Sequence, residues 1–178
     1  VWEGRALDES HRHHSHLAGV YPFDVFDYHG SHADRSLVEN SMQRWTRMGM
    51  GLWTGWAMPW ASILCARTAR PETAVEMLRL YRRAFMNEGF ASLHDARFPG
   101  LTVFWRRRDL MQIEAALAAA AAVLELLAHT AQGVLHLFAG APAEWADASF
   151  ENLRVEGACL VSAERRNRRV EQVRIRSE

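Results

Sequence analysis

MQIEAALAAAAAVLELLAHTAQGVLHLFAG, residues 111–140, changes its period in the middle. Its first part is almost all Ala and Leu and reads as a helix from about residue 109 to about 130. Gly133 ends that helix, and VLHLFAG (134–140) reads as a strand. Working outward, the order is helices before this point and strands after it. That order predicts two architectural pieces, a helical part to residue 131 and a small β part over 132–178.

Upstream, residues 32–48 read as a helix with Leu37, Met42 and Trp45 on its apolar face, closed by Gly49 and Gly51. A second helix is predicted to start near Thr54, acting as N-cap, and to run to about Ala69 with Pro59 near its first turn. Pro71 opens a third helix, at the first-turn position proline prefers. Val75, Leu78, Leu80, Tyr81 and Phe85 give it a broad apolar face. Residues 88–108 read as loop. Downstream, GACLVSAERRNRRVEQVRIRS reads as a hairpin turning near Asn167.

Composition bounds the function. The chain has 178 residues, 21 Lys plus Arg and 21 Asp plus Glu, so no net charge argues for nucleic acid or an anionic membrane. The run at 115–128 contains Glu125 and falls short of the ~20 apolar residues of a membrane span. Cys65 and Cys159 lie far apart in apolar settings and read as buried thiols. The opening VWEGRALDES has neither an initiator Met nor a leader pattern, and reads as the interior of a longer chain. Four helices and a small sheet would leave Trp45, Trp53, Trp56, Trp60 and Trp105 costly to keep wet, so more chain or another subunit is expected to cover them.

Three constellations could carry chemistry. HRHHSHLAGVYP (11–22) places four histidines in six residues. It lacks the helical HExxH spacing of a metal site. Loop capping by imidazoles and hydrogen bonding to ligand hydroxyls both remain open. In an extended segment His11 and His13 would point the same way. GLWTGWAMPWASILCAR (51–67) offers Trp53, Trp56 and Trp60, either as core or as an aromatic wall for a sugar's apolar face; Trp56, between Gly55 and Ala57, is the best candidate for the wall. Gln112 and Glu114 open the Ala-rich helix. Glu114 is either a carboxylate placed at a helix N-terminus for its dipole or a catalytic base. Glu125 lies eleven residues on, about 16 Å along the axis. Glycosidase carboxylates stand about 5–9.5 Å apart, so Glu125 is a structural residue, not the second acid of the same site.

These three segments, in this order, resemble glycoside hydrolase family 95, the α-L-fucosidase family and its relatives. HRHHSHLAGVYP resembles HRHxSHLxGxYP, GLWTGWAMPWASILCAR resembles the TGWS…W…ARL helix, and MQIEAALAAAAAVLELLAHTAQG resembles QIDGNFG…EMLLQS…G, with the β region following. The resemblance implies the last part of an (α/α)6 toroid followed by a small C-terminal antiparallel β domain. It implies inverting hydrolysis of an α-L-fucoside or related sugar. In it an aspartate activates water, a glutamic acid protonates the leaving oxygen, and no metal or other cofactor takes part. The aspartate falls on Glu114 and the following asparagine on Ala116. His11, His13 and His16 would line the sugar subsite with Trp56 and Gln112, ahead of His14 at the variable position. The general acid is expected upstream, in a missing part of the same chain, so the isolated chain is expected to be inactive. The compartment stays open, with an exported parent expected. A non-catalytic carbohydrate-binding or structural remnant of such an enzyme is the alternative. Glu reaches one methylene further than Asp, so the identity of the sugar and its linkage are left open by the sequence.

Overall fold

The computed structural model describes residues 7–107 and 109–177. Residues 1–6, Glu178 and Arg108, the last of the Arg106–Arg108 run, lie outside the described residues. Four helices precede five strands: α1 His32–Met48, α2 Ala57–Arg67, α3 Pro71–Ala84, α4 Ile113–Leu127, β1 Ala128–Ala131, β2 Val134–Leu137, β3 Ala148–Val155, β4 Cys159–Arg166 and β5 Arg169–Ser177. Helix-then-strand is therefore the observed order.

Local chemistry sets most boundaries. Ser31 caps α1 by accepting the Asp34 N–H at 3.0 Å, and Gly49 closes the helix with a φ of 69°. Val38, Met42 and Trp45 form its buried stripe; Leu37, expected on that face, is turned to solvent at 49 % exposure. Val38 is one residue, or about 100°, further round and takes the inward position instead. Pro71 stands at the start of α3 as expected. Helix α2 begins two residues later than expected if Thr54 were its cap, with Trp56 in the cap position and Thr54 fully buried. Helix α4 starts at Ile113 rather than 109 and stops at Leu127, where Ala128 is already extended.

Helix α2 is the centre of the core: its residues from Ala57 to Pro59 and Ala61 to Ala66 are buried, against α3 on one side and α4 on the other. Small residues allow the close approach. Ala61, Ala66 and Ala74 are fully buried, and the Ser62 hydroxyl donates across to the Ala74 carbonyl at 2.8 Å. Such an all-round apolar helix is buried by composition rather than by an amphipathic stripe. The core also takes in Leu17, Val20, Trp53, Phe85 and Leu126.

The strands form two sheets. β1 and β2 are an antiparallel hairpin at the end of α4, pairing His129 with His136. β3, β4 and β5 make an antiparallel sheet in sequence order. The β4–β5 turn uses Asn167 and Arg168, both at positive φ (47° and 67°), the pattern of a two-residue hairpin with matching twist. Val161, Ala163 and Arg165 point inward from β4; Phe138 and Ala141 pack with Ala163, and Arg165 donates to the Ala141 carbonyl at 3.1 Å. Among the described helices none is long and apolar enough to cross a membrane.

Candidate active site

The histidine-rich segment divides by burial. His14 is fully buried among Trp45, Trp53 and Trp60, with ring centroids 5.1, 4.7 and 5.3 Å away. Its Nδ1 accepts the Trp45 indole N–H at 3.1 Å, so its Nε2–H donates to the Ala57 carbonyl at 2.9 Å. Burial pushes its pKa down to about 3, against the opposing pull of that carbonyl. His14 is thus a neutral structural pin joining the segment to α1 and α2. His11 and His13 are exposed, their rings 5.2 Å apart, and the His13 N–H donates to the His11 Nδ1 at 3.1 Å. His16 is half-buried, pushed down to about 4 by burial, and its Nε2 has no partner among the described residues. No group of three or more His, Cys, Asp or Glu among the described residues is arranged to hold a metal ion.

The end of the same segment reaches a groove. Tyr21 and Pro22 line it with Trp56 and Trp60 of the α2 region and Glu114 and Leu117 of α4, around a cavity of about 420 Å³. Trp56 and Trp60, one helical turn apart, hold their rings 5.5 Å apart, and the Trp60 indole donates to the Tyr21 carbonyl at 3.2 Å. Glu114 lies exposed in the first turn of α4 and makes no hydrogen bond or ion pair among the described residues.

Gln112 stands behind this wall. It is 8 % exposed, and its Oε1 accepts the Trp56 backbone N–H at 2.8 Å. Its own N–H donates to the Ser92 carbonyl at 2.9 Å, beside a bridge between Leu93 and Met111. The loop over residues 88–107 is held from within by Asp95, which accepts the N–H groups of Arg106 and Arg107 at 3.1 and 2.9 Å and pairs with His94 Nδ1 at 2.7 Å. Burial would raise the Asp95 carboxyl, but these donors outweigh it and hold the group below its usual range. Gly55 is pressed against the Leu93 carbonyl, where a Cβ would collide.

Glu125 is engaged elsewhere. Arg67 grips it with Nε and Nη2, at 2.7 and 3.2 Å, and reaches Asp24 with Nη1 at 3.2 Å; the guanidinium also lies over the Tyr21 ring, 5.0 Å from its centre. The structural role expected for Glu125 is the one observed.

The structure therefore brings Trp56 and Glu114 into one groove with Gln112 supporting it, whereas His11, His13 and His16 are not among the groove's lining residues. Tyr21 is a groove residue that the sequence did not single out for this role, and Trp60, read there as core or wall with Trp56 preferred, is a wall residue as well. The tyrosine stood in the quoted motif, and Trp60 follows Trp56 at i+4.

Residues 3–127 match the glycosyl hydrolase family 95 catalytic domain. The chain belongs to this family. It is also similar to alpha-L-fucosidase 2 of Arabidopsis thaliana, 27 % identical over 161 residues that cover 85 % of this chain and 17 % of that protein. The chain thus spans about a sixth of the length of that relative. Within family 95 the match ends at Leu127, the last residue of α4, so the groove lies inside the matched region and β1–β5 follow it.

Proposed function

We propose that these residues are the C-terminal part of a family 95 glycoside hydrolase that cleaves an α-L-fucoside or related glycoside with inversion. Glu114 is the base that activates water. Trp56 packs on the sugar, Gln112 holds Trp56 and offers its amide, and His11, His13 and His16 complete the subsite when substrate and the rest of the protein are present. The observation that carries the reading is the meeting of Glu114, Trp56 and the Tyr21–Pro22 end of the histidine segment around one groove. A carboxylate with no partner among the described residues, beside aromatic rings, is available to a substrate.

In this reading α1–α4 are part of an (α/α)6 toroid, residues 1–131 belong to it, and residues 132–178 form a separate β domain joined through the β1–β2 hairpin. The exposed apolar residues Ile113, Leu117, Val123 and Leu124 of α4 support a further helical neighbour. As the family resemblance implies, the general acid comes from outside these residues; Glu125, bound by Arg67 and too far along α4 to share the site, does not supply it. The 178 residues alone therefore do not turn over substrate.

The test is an assay of the full-length parent protein on aryl α- and β-glycosides, wild type beside Glu114→Gln, with the product anomer followed by NMR. A loss of at least about a thousandfold in kcat, with KM little changed, is expected from removing a general base, the upper part of the range for such groups. Unchanged activity would remove the base assignment. Sugar binding without turnover in the wild-type parent would leave a carbohydrate-binding remnant.

A further inference from the structure

We propose that the imidazoles of His29, His136 and His129 form an acid-sensitive latch, which holds the β1–β2 hairpin against the loop over residues 24–29 while neutral and releases it when charged. The latch lies outside the groove and does not depend on how the groove's chemistry is read.

The hairpin brings two of the rings together. His129 and His136 are cross-strand partners, and their rings stack 5.0 Å apart at 19°. The third comes from the loop: the His29 ring lies 5.1 Å from that of His136, at 32°. His136 is therefore the middle ring, touching one imidazole of its own hairpin and one of the loop. The β1–β2 turn is fastened separately. The Gln132 backbone N–H donates to the Asp24 carboxylate at 2.9 Å, and the Gln132 amide donates to the Asp24 carbonyl. The histidines thus hold the strands, and Asp24 holds the turn.

The stack accepts neutral rings and has no provision for charged ones. His129 is 4 % exposed, and its Nδ1–H donates to the Glu125 carbonyl at 3.1 Å, which leaves Nε2 as the bare nitrogen. That Nε2, like the buried Nε2 of His136, has no partner among the described residues. A proton added at either place would be a buried donor without an acceptor. It would also put a positive charge about 5 Å from the next ring. Burial pushes His129 down to about 4 and His136 down as well.

The surrounding charges are of both signs. From the loop, Asp24 and Asp27 favour a charge on His136, while Arg67 of α2 opposes it. Arg67 is fixed there by Glu125 of α4 and by the Thr130 carbonyl of β1, at 3.3 Å. Arg154 of β3 and Glu156 just beyond it line a cavity with His129. The loop carboxylates do not keep His136 charged in the closed stack, but they give a protonated His136 somewhere to turn. Free imidazoles titrate near ~6.5. The latch is therefore at full strength above about pH 6.5 and weakens as pH falls toward about 4.

The test is amide hydrogen exchange of the full-length parent by mass spectrometry at pH 7 and pH 5, with the intrinsic pH dependence divided out. Protection over residues 24–29 and 128–137 is expected to fall about tenfold. At both pH values these segments should stay at least about tenfold less protected than α2, so that their opening is local. H136F keeps a ring in the stack without its nitrogens and should cut the pH-dependent loss to about threefold or less. H29F replaces an exposed side chain, so it tests the same point should H136F fail to fold; it should shrink the loss as well. Protection unchanged between the two pH values would overturn the proposal. So would hairpin protection equal to that of α2 at both, or a full tenfold loss in both variants.

Discussion

The Trp56 backbone N–H and the Gln112 Oε1 are 2.8 Å apart, so the residue before α4 fixes the residue before α2 across 56 positions of sequence. Gln112→Leu removes the acceptor and leaves a half-buried N–H unpaired. The expected cost is about 1–3 kcal/mol, read as a lower urea midpoint. Since Trp56 is a groove wall, its fluorescence should also shift. A midpoint within the error of wild type would mean that water replaces Gln112 without loss.

Gly55 makes a second, sterically strict joint. A methyl group there would meet the Leu93 carbonyl at far less than contact distance and the Gln112 Oε1 at 3.2 Å. Backbone on that side cannot swing away as a side chain could. Gly55→Ala is expected to cost at least about 2 kcal/mol by overpacking and to move the Trp56 wall. A variant as stable as wild type, with an unaltered near-UV spectrum, would contradict this.

Much of this organisation is legible in the sequence, for definable reasons. Helix α1 follows a clear cap at Ser31, and α3 begins at a proline. Strand β3 is not legible, because the bulge at Asn152, with φ of 51°, breaks its alternation. Strand β1 is hidden by Ala-rich sequence that continues a helical pattern past Leu127. Gln112 and Glu114 stand out as polar residues opening an apolar helix. The burial of His14 does not, because four neighbouring histidines are chemically alike until Trp45, Trp53 and Trp60 enclose one of them. Tyr21 reaches the groove through a contact with Trp60 that is 39 residues long, which no local pattern announces.

Arg67 gives a third prediction. Its side chain is 10 % exposed and that of Glu125 16 %, so the pair is largely out of water. Arg67→Met strands two carboxylates, Asp24 and Glu125, and removes the cation from Tyr21. A loss of about 3–5 kcal/mol is expected. Arg67→Met with Glu125→Leu should recover part of it, since the less exposed of the two stranded carboxylates is then gone. If the double variant is no better than the single, the cost lies in packing and not in the stranded charge.

Acid should loosen the protein earlier than its carboxylates alone would require. Burial pushes His14 down to about 3 and His129 down to about 4; His129 also donates from Nδ1 to the Glu125 carbonyl at 3.1 Å, which works against the shift, while Arg67 adds to it. The ordinary imidazole value is ~6.5. In the unfolded chain both rings therefore take a proton first, as pH falls below about 6.5, and the folded state does not. Their stabilising contribution is complete above that pH and declines as pH falls toward 3–4, beyond which the folded rings also titrate. Together they should cost about 4 kcal/mol between pH 7 and pH 5. Asp95, held below its usual range, acts in the same direction at lower pH. Urea midpoints at the two pH values, with the His Cε1 carbon shifts followed by NMR, check this directly: the midpoint should fall while both rings stay neutral at pH 5. Equal midpoints, or rings already charged at pH 5, would mean that water reaches His14 and His129 and that the tryptophan cage around His14 is not closed.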